Sequence, residues 1–260
     1  MKRVVKNILP HFICIVCLIA VSVIYFYPIL FDKGIEQSDI SQFKGMSKQI
    51  VDHRDKFNEE PYWLDNAFLG MPSFQVSARY PYDILRVIDL SIRFLPRPAD
   101  YLFLYLLSFY LLIISLKINY RFALLGALAF GFSTYLIIIL GVGHNTKALA
   151  IGYLPLVIMG VIMILNKHFL KGFLITSLAL GLQIHSNHYQ MTYYTLIMIM
   201  VIFLFYFFDY LKKNNLKIFF KIIVIFISSS IIALMLNASA LLATKEYSEF
   251  STRSKSEITI

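Results

Sequence analysis

Two groups of side chains in this sequence have the types and spacing to do chemistry. The first is acidic: residues 32 to 99 hold ten of the fifteen Asp and Glu residues, and the only tryptophan, Trp63. Within them Asp39, in Glu36-Gln37-Ser38-Asp39-Ile40, stands eight residues past the end of a long apolar run. A carboxylate partly buried at a membrane surface has its pKa raised toward the range of a general base. Glu36 lies one helical turn earlier and is the candidate partner. The other use of these residue types is structural, since Ser38 or Asp39 suits the cap of a helix starting there. The residues by themselves leave both uses open.

The second group is basic. It comprises His144 and Lys147 in Gly143-His144-Asn145-Thr146-Lys147, and His185, His188 and Gln190 in His185-Ser186-Asn187-His188-Tyr189-Gln190. A spacing of three puts the last two imidazoles on one helical face, provided the helix continues. Three uses fit: zinc shared with a loop carboxylate, polar caps on helix ends, or a cationic pocket for a phosphate at headgroup depth. No H-E-x-x-H pattern or cysteine ligand supports the zinc use. Cys14 and Cys17 have C-x-x-C spacing but lie inside an apolar run, where they read as two small buried hydrophobes.

The elements that must position these groups are membrane helices. The chain is 58% hydrophobic and 16% aromatic with a mean hydropathy of +0.70, and its apolar residues come in runs. Seven runs approach the roughly 20 residues that a bilayer requires, at 9–31, 101–118, 122–142, 148–165, 169–187, 190–208 and 218–243. The net charge of +9 does not indicate nucleic acid, because eleven basic residues fall on alternate connections: Lys2, Arg3, Lys6, Lys117, Arg121, Lys167, Lys171, Lys212, Lys213, Lys217 and Lys221. The short connections between them hold only Lys147. By the positive-inside rule the amino terminus is cytoplasmic, and the loop 32–99 faces outward with the histidine-bearing turns.

The expected architecture is all-α and polytopic, with about seven transmembrane helices. Residues 1–31 form the cytoplasmic start and first span, and 32–99 an extracytoplasmic loop with amphipathic helices. Residues 100–243 form a six-helix bundle, and 244–260 begin a truncated outer segment. In the loop, Ile35, Ile40, Phe43, Met46 and Ile50 have helical spacing and predict a helix lying on the membrane surface. A second interfacial stretch runs from Tyr80 to Leu95. Its acidic residues, Asp89 among them, are expected on solvated faces. Gly126, Ala127, Ala129, Gly131 and Ser133 favour close helix packing, and Pro155 predicts a kink.

The segment Gln37 to Met46, then Trp63 with Phe68-Leu69-Gly70-Met71-Pro72-Ser73-Phe74-Gln75, resembles the YfhO-like family of bacterial polytopic membrane proteins, within the GT-C superfamily of glycosyltransferases. Gly143 to Lys147, His188 to Tyr194 and Tyr247 to Arg253 continue the resemblance. It implies a longer protein of the bacterial cytoplasmic (inner) membrane that takes a sugar from a polyprenyl phosphate donor to an envelope glycan, lipid or protein acceptor. It also implies that Asp39 is the reacting carboxylate, with His144, Lys147, His188 and Arg253 as cations for the departing phosphate. The superfamily pattern departs in one respect: no second acidic partner beyond Glu36 is evident, so a divalent metal is left open and no cofactor is required. A transporter or flippase of a lipid-linked polymer, or a non-catalytic envelope scaffold, are the other functions this architecture allows. A transporter should carry ionisable groups near mid-bilayer, and the apolar runs lack them.

Overall fold

The computed structural model describes residues 2–31 and 33–250, with residues 2–7 as backbone only. The described residues are all-α apart from one small hairpin. Its elements are α1 (Lys2–Tyr25) followed by a short 3-10 helix (Tyr27–Phe31), α2 (Ser38–Phe57), β1 (Trp63–Leu64), β2 (Met71–Pro72) and α3 (Ile84–Ile92). Then come α4 (Ala99–Ser115), α5 (Tyr120–Gly131), α6 (Thr134–Val142), α7 (Asn145–Leu165), α8 (Phe169–His185), α9 (Tyr189–Lys212), α10 (Leu216–Leu236) and α11 (Ala238–Ser248).

Each apolar run became a helix or a broken pair. Four helices, α1, α7, α9 and α10, are long and apolar enough to cross a bilayer, and α5 with α6 makes a fifth candidate bent by 51°. The apolar helices α4 and α8 are shorter, at 17 residues each. These helices make the chain a multi-pass membrane protein in its architecture. Three boundaries differ from the expected ones for local reasons. Helix α1 stops at Tyr25, and the rest of its apolar run continues as the 3-10 helix Tyr27–Phe31, which contains Pro28. The 122–142 run breaks at Phe132 and Ser133, and the 218–243 run at Asn237. Ser and Asn side chains compete for the backbone groups that a continuous helix needs. Pro155, in contrast, is carried inside an unbroken α7.

The chain divides into two compact units, Met1–Ile35 with Leu85–Leu236, and Glu36–Ile84 with Asn237–Ile260. In the helical unit α4 is central, with Tyr101, Leu102, Leu104, Tyr105 and Leu106 buried. Helices α7 and α8 approach backbone to backbone. A Cβ on Gly160 would stand 2.7 Å from the Thr176 nitrogen, and one on Gly172 2.7 Å from the Ile164 nitrogen. Small residues at such a crossing let the helices close without apolar side chains between them. Gln183, fully buried on α8, donates to the Ala150 carbonyl of α7 at 2.9 Å and to Thr195 Oγ1 of α9 at 2.8 Å. Cys14 is buried as expected, but Cys17 is exposed on the outer face of α1.

The second unit is organised by α2 and the hairpin. Ile50 of α2 packs against Leu64, Ala67 and Met71, with Met46 and Val76 at the edge. The apolar stripe predicted to rest on a membrane is thus covered, at Met46 and Ile50, by protein from the same unit. Arg54 and Glu60 fasten the end of α2 to the following loop by two hydrogen bonds of 2.6 Å. Gln75 Nε2 donates to Thr244 Oγ1 at 3.1 Å, and Phe74 meets Tyr247 edge-on, so α11 belongs to this unit.

Candidate functional site

Two tight connections in the helical unit bring basic side chains together. Between α6 and α7, Gly143 at φ +92° turns the chain so that His144 precedes α7 and Lys147 falls in its first turn. The Lys147 ammonium stands over the Tyr135 ring of α6, 5.1 Å from its centroid. Between α8 and α9, Asn187 at φ +57° reverses the chain, and His188 precedes α9. Neither histidine side chain makes a cap hydrogen bond to its helix, so neither acts as a side-chain cap.

The two connections lie close enough for their charges to interact. Burial holds the His188 ring below the usual histidine range, against an opposing interaction with its own backbone, and the charges of Lys147 and His144 lower it further. Its Nδ1 is buried with no hydrogen-bond partner among the described residues, as is the Thr192 hydroxyl one turn into α9. The amino-terminal ends of α7 and α9 add the positive end of each helix dipole. Chemically the arrangement can hold an anion, through the Lys147 ammonium, the two imidazoles and two helix amino termini.

His185 and His188 share no helical face, because α8 ends at His185 and the chain turns at Ser186 and Asn187. Gln190 is exposed and donates to Tyr194 at 2.8 Å. Among the described residues no three His, Cys, Asp or Glu side chains are grouped as metal ligands. Asp39 and Glu36 belong to the second unit. Asp39 is half-buried in the first turn of α2, where the helix dipole favours a carboxylate, and the N-cap is Gln37 rather than Ser38 or Asp39. Glu36 precedes the helix and is exposed, so the expected helical-turn relation with Asp39 is not formed. Arg253 lies outside the described residues.

One charged network went unforeseen. Arg93 donates through Nε to Asp89 Oδ1 at 2.9 Å and through Nη2 to Asp89 Oδ2, while its Nη1 reaches Asp100. Tyr153 of α7 donates its hydroxyl to Asp89 at 2.6 Å, and Asp100 accepts from the Tyr101 N–H at 2.9 Å. All three ionic residues are buried, so Asp89 is not on a solvated face. Burial pulls the Arg93 pKa down, but the two carboxylates more than offset it and keep the guanidinium charged. The network pins α3 to α4 and α7. Its only sequence signal is the spacing of four from Asp89 to Arg93, which a solvent-exposed helix shows equally often.

No family model, curated protein or solved structure matches the chain. Fold and site together define a multi-pass α-helical membrane protein with a cationic cluster at helix ends.

Proposed function

We propose that the protein is a membrane glycosyltransferase that moves a sugar from a polyprenyl phosphate donor to a hydroxyl of an envelope glycan, lipid or protein. The observation that carries this reading is the cluster of Lys147, His144 and His188, with His188 Nδ1 buried and unpaired. Transfer breaks the bond between the anomeric carbon and the lipid phosphate oxygen, and the phosphate departs with the electron pair. Lys147 and the amino terminus of α7 stabilise that charge, and His188 can add a hydrogen bond to it. The acceptor oxygen bonds to the anomeric carbon as its proton passes to a carboxylate base, the role that the family resemblance implies for Asp39. Seven spans with a cytoplasmic amino terminus would put these connections on the outer face of a bacterial cytoplasmic membrane. Nucleotide sugars are absent there, and a lipid-linked donor is needed. The resemblance to the YfhO-like family supports the same assignment.

The test is transfer of labelled sugar from a polyprenyl phosphate in vesicles carrying the full chain. Asp39→Asn should lower the rate by about a hundredfold or more, while Lys147→Ala should weaken donor binding. Lipid translocation by the unaltered protein without any glycosyl transfer would refute the reading in favour of a flippase.

A further inference from the structure

The hairpin of the second unit has an unusual tip. Strands β1 and β2 pair with Leu64 opposite Met71, and the connection closes through the Gly70 N–H on the Ala67 carbonyl at 2.9 Å. The two residues between, Phe68 and Leu69, take φ values of +51° and +63°. Turns with two such residues suit Asn-Gly and disfavour large side chains. The strained residues are nevertheless apolar, and their relative exposures are 81% and 105%. Tyr62 and Trp63 beside them are exposed as well.

The local structure holds this tip in place. The Trp63 indole lies on Gly70, where a Cβ would meet its Cζ2 at 2.9 Å, and its N–H donates to Asp65 at 3.1 Å. Gln49 of α2 accepts from the N–H groups of Asp65 and Asn66 at 3.0 and 3.1 Å. A rigid platform therefore presents a large apolar surface outward, with the polar edge of the indole turned toward a carboxylate.

We propose that Tyr62, Trp63, Phe68 and Leu69 form an insertion point that dips into the headgroup and acyl boundary of a lipid bilayer. Trp and Tyr with one wet edge and one apolar face are the side chains that settle at that depth. The four turn residues Ala67-Phe68-Leu69-Gly70 carry no charge. The unit is also continuous in sequence with apolar helices, since Asn237 follows directly on α10. The proposal is independent of the transferase reading.

Trp63 is the only tryptophan, so emission excited at the red edge of indole absorption, where tyrosine does not absorb, reports on the tip alone. The full chain would be reconstituted in phosphatidylcholine vesicles brominated near the top of the acyl chains, with iodide as the aqueous quencher. The brominated lipid should remove most of the emission and iodide little. The double variant Phe68→Asn, Leu69→Gly relieves the turn, so its thermal midpoint should rise by roughly 2–4 °C. The same variant should lose most of the quenching by lipid and become accessible to iodide. Emission quenched by iodide but not by brominated lipid overturns the proposal. So does emission quenched by neither, which would mean that protein covers the tip, or a double variant whose lipid quenching is unchanged.

Discussion

Replacing Arg93 with methionine removes the guanidinium from between two buried carboxylates while roughly keeping the bulk of the side chain. Asp89 is 6% exposed and Asp100 1%. Without Arg93, Asp89 keeps the Tyr153 hydroxyl at 2.6 Å, and Asp100 keeps the Tyr101 N–H at 2.9 Å with Arg97 only at 4.0 Å. Removing one partner of a buried ion pair costs about 3–5 kcal/mol, because the other charge stays desolvated. The folded-to-unfolded ratio should then fall by about two to three and a half powers of ten. Titration with dodecyl sulfate, followed by circular dichroism of the full chain in lipid micelles, reads this as an earlier transition. The contrasting change is Lys48→Ala, which breaks a 2.6 Å pair whose side chains are 70% and 59% exposed; its effect should stay below about 1 kcal/mol. Neutralising the whole set, with Asp89→Asn and Asp100→Asn added to Arg93→Met, should recover more than half of the loss. A single variant within about 0.5 kcal/mol of the unaltered protein, or a triple variant no better than the single, would show that stranded buried charge is not what holds α3 in place.

Two further outcomes follow from titrating groups. Glu60 is pushed up by burial, but hydrogen bonds from Arg54 and the Arg79 N–H hold its pKa below the ordinary carboxylate value. A depressed folded pKa contributes stability above the unfolded value of about 4.3 and loses it as pH falls through the folded one. Acid unfolding of the second unit should therefore steepen below about pH 4.5, and Glu60→Gln should flatten that slope in a chromatic or proteolytic readout. His188 has its pKa depressed, so its neutral form is favoured in the folded chain and protonation below about pH 6.5 opposes folding. A phosphodiester reverses the balance by favouring the imidazolium, so binding of a short-chain phosphodiester should tighten from pH 8 to pH 6. His188→Gln should abolish that dependence, and an unchanged pH profile in the variant would remove His188 from the anion site.

The helices were legible because a bilayer imposes length and apolarity, and every apolar run of the sequence has a helical counterpart. The breaks at Ser133 and Asn237 were not, since a single polar residue in an apolar run is tolerated or disruptive according to neighbours that lie far away in sequence. The basic cluster was half legible. Gly143 marks the turn that exposes His144 and Lys147, but their closeness to His188 depends on α7 and α8 packing antiparallel. That packing rests on Gly160 and Gly172, whose backbones nearly touch the opposite helix. Once the pair closes, the start of α7 and the end of α8 are neighbours, as the Gln183 bond to the Ala150 carbonyl shows, and the charges of His144 and Lys147 reach His188.

Where reading by pattern went astray, one physical reason recurs. Apolar spacing states that a helix face has an apolar partner, without saying whether that partner is lipid or protein. Met46 and Ile50 on α2 looked like a membrane-facing stripe, yet Leu64 and Met71 cover them, from strands of two residues that are too short to be recognised by alternation. Asp89 looked solvated for the converse reason: what buries it is Tyr153, 64 residues away. The hairpin shows the same limit differently, because Phe68 and Leu69 are apolar yet occupy a turn, at positive φ values, that leaves them exposed. In a membrane protein a burial pattern specifies contact with something apolar, and only the backbone geometry around it decides whether that contact is made with the chain or with the bilayer.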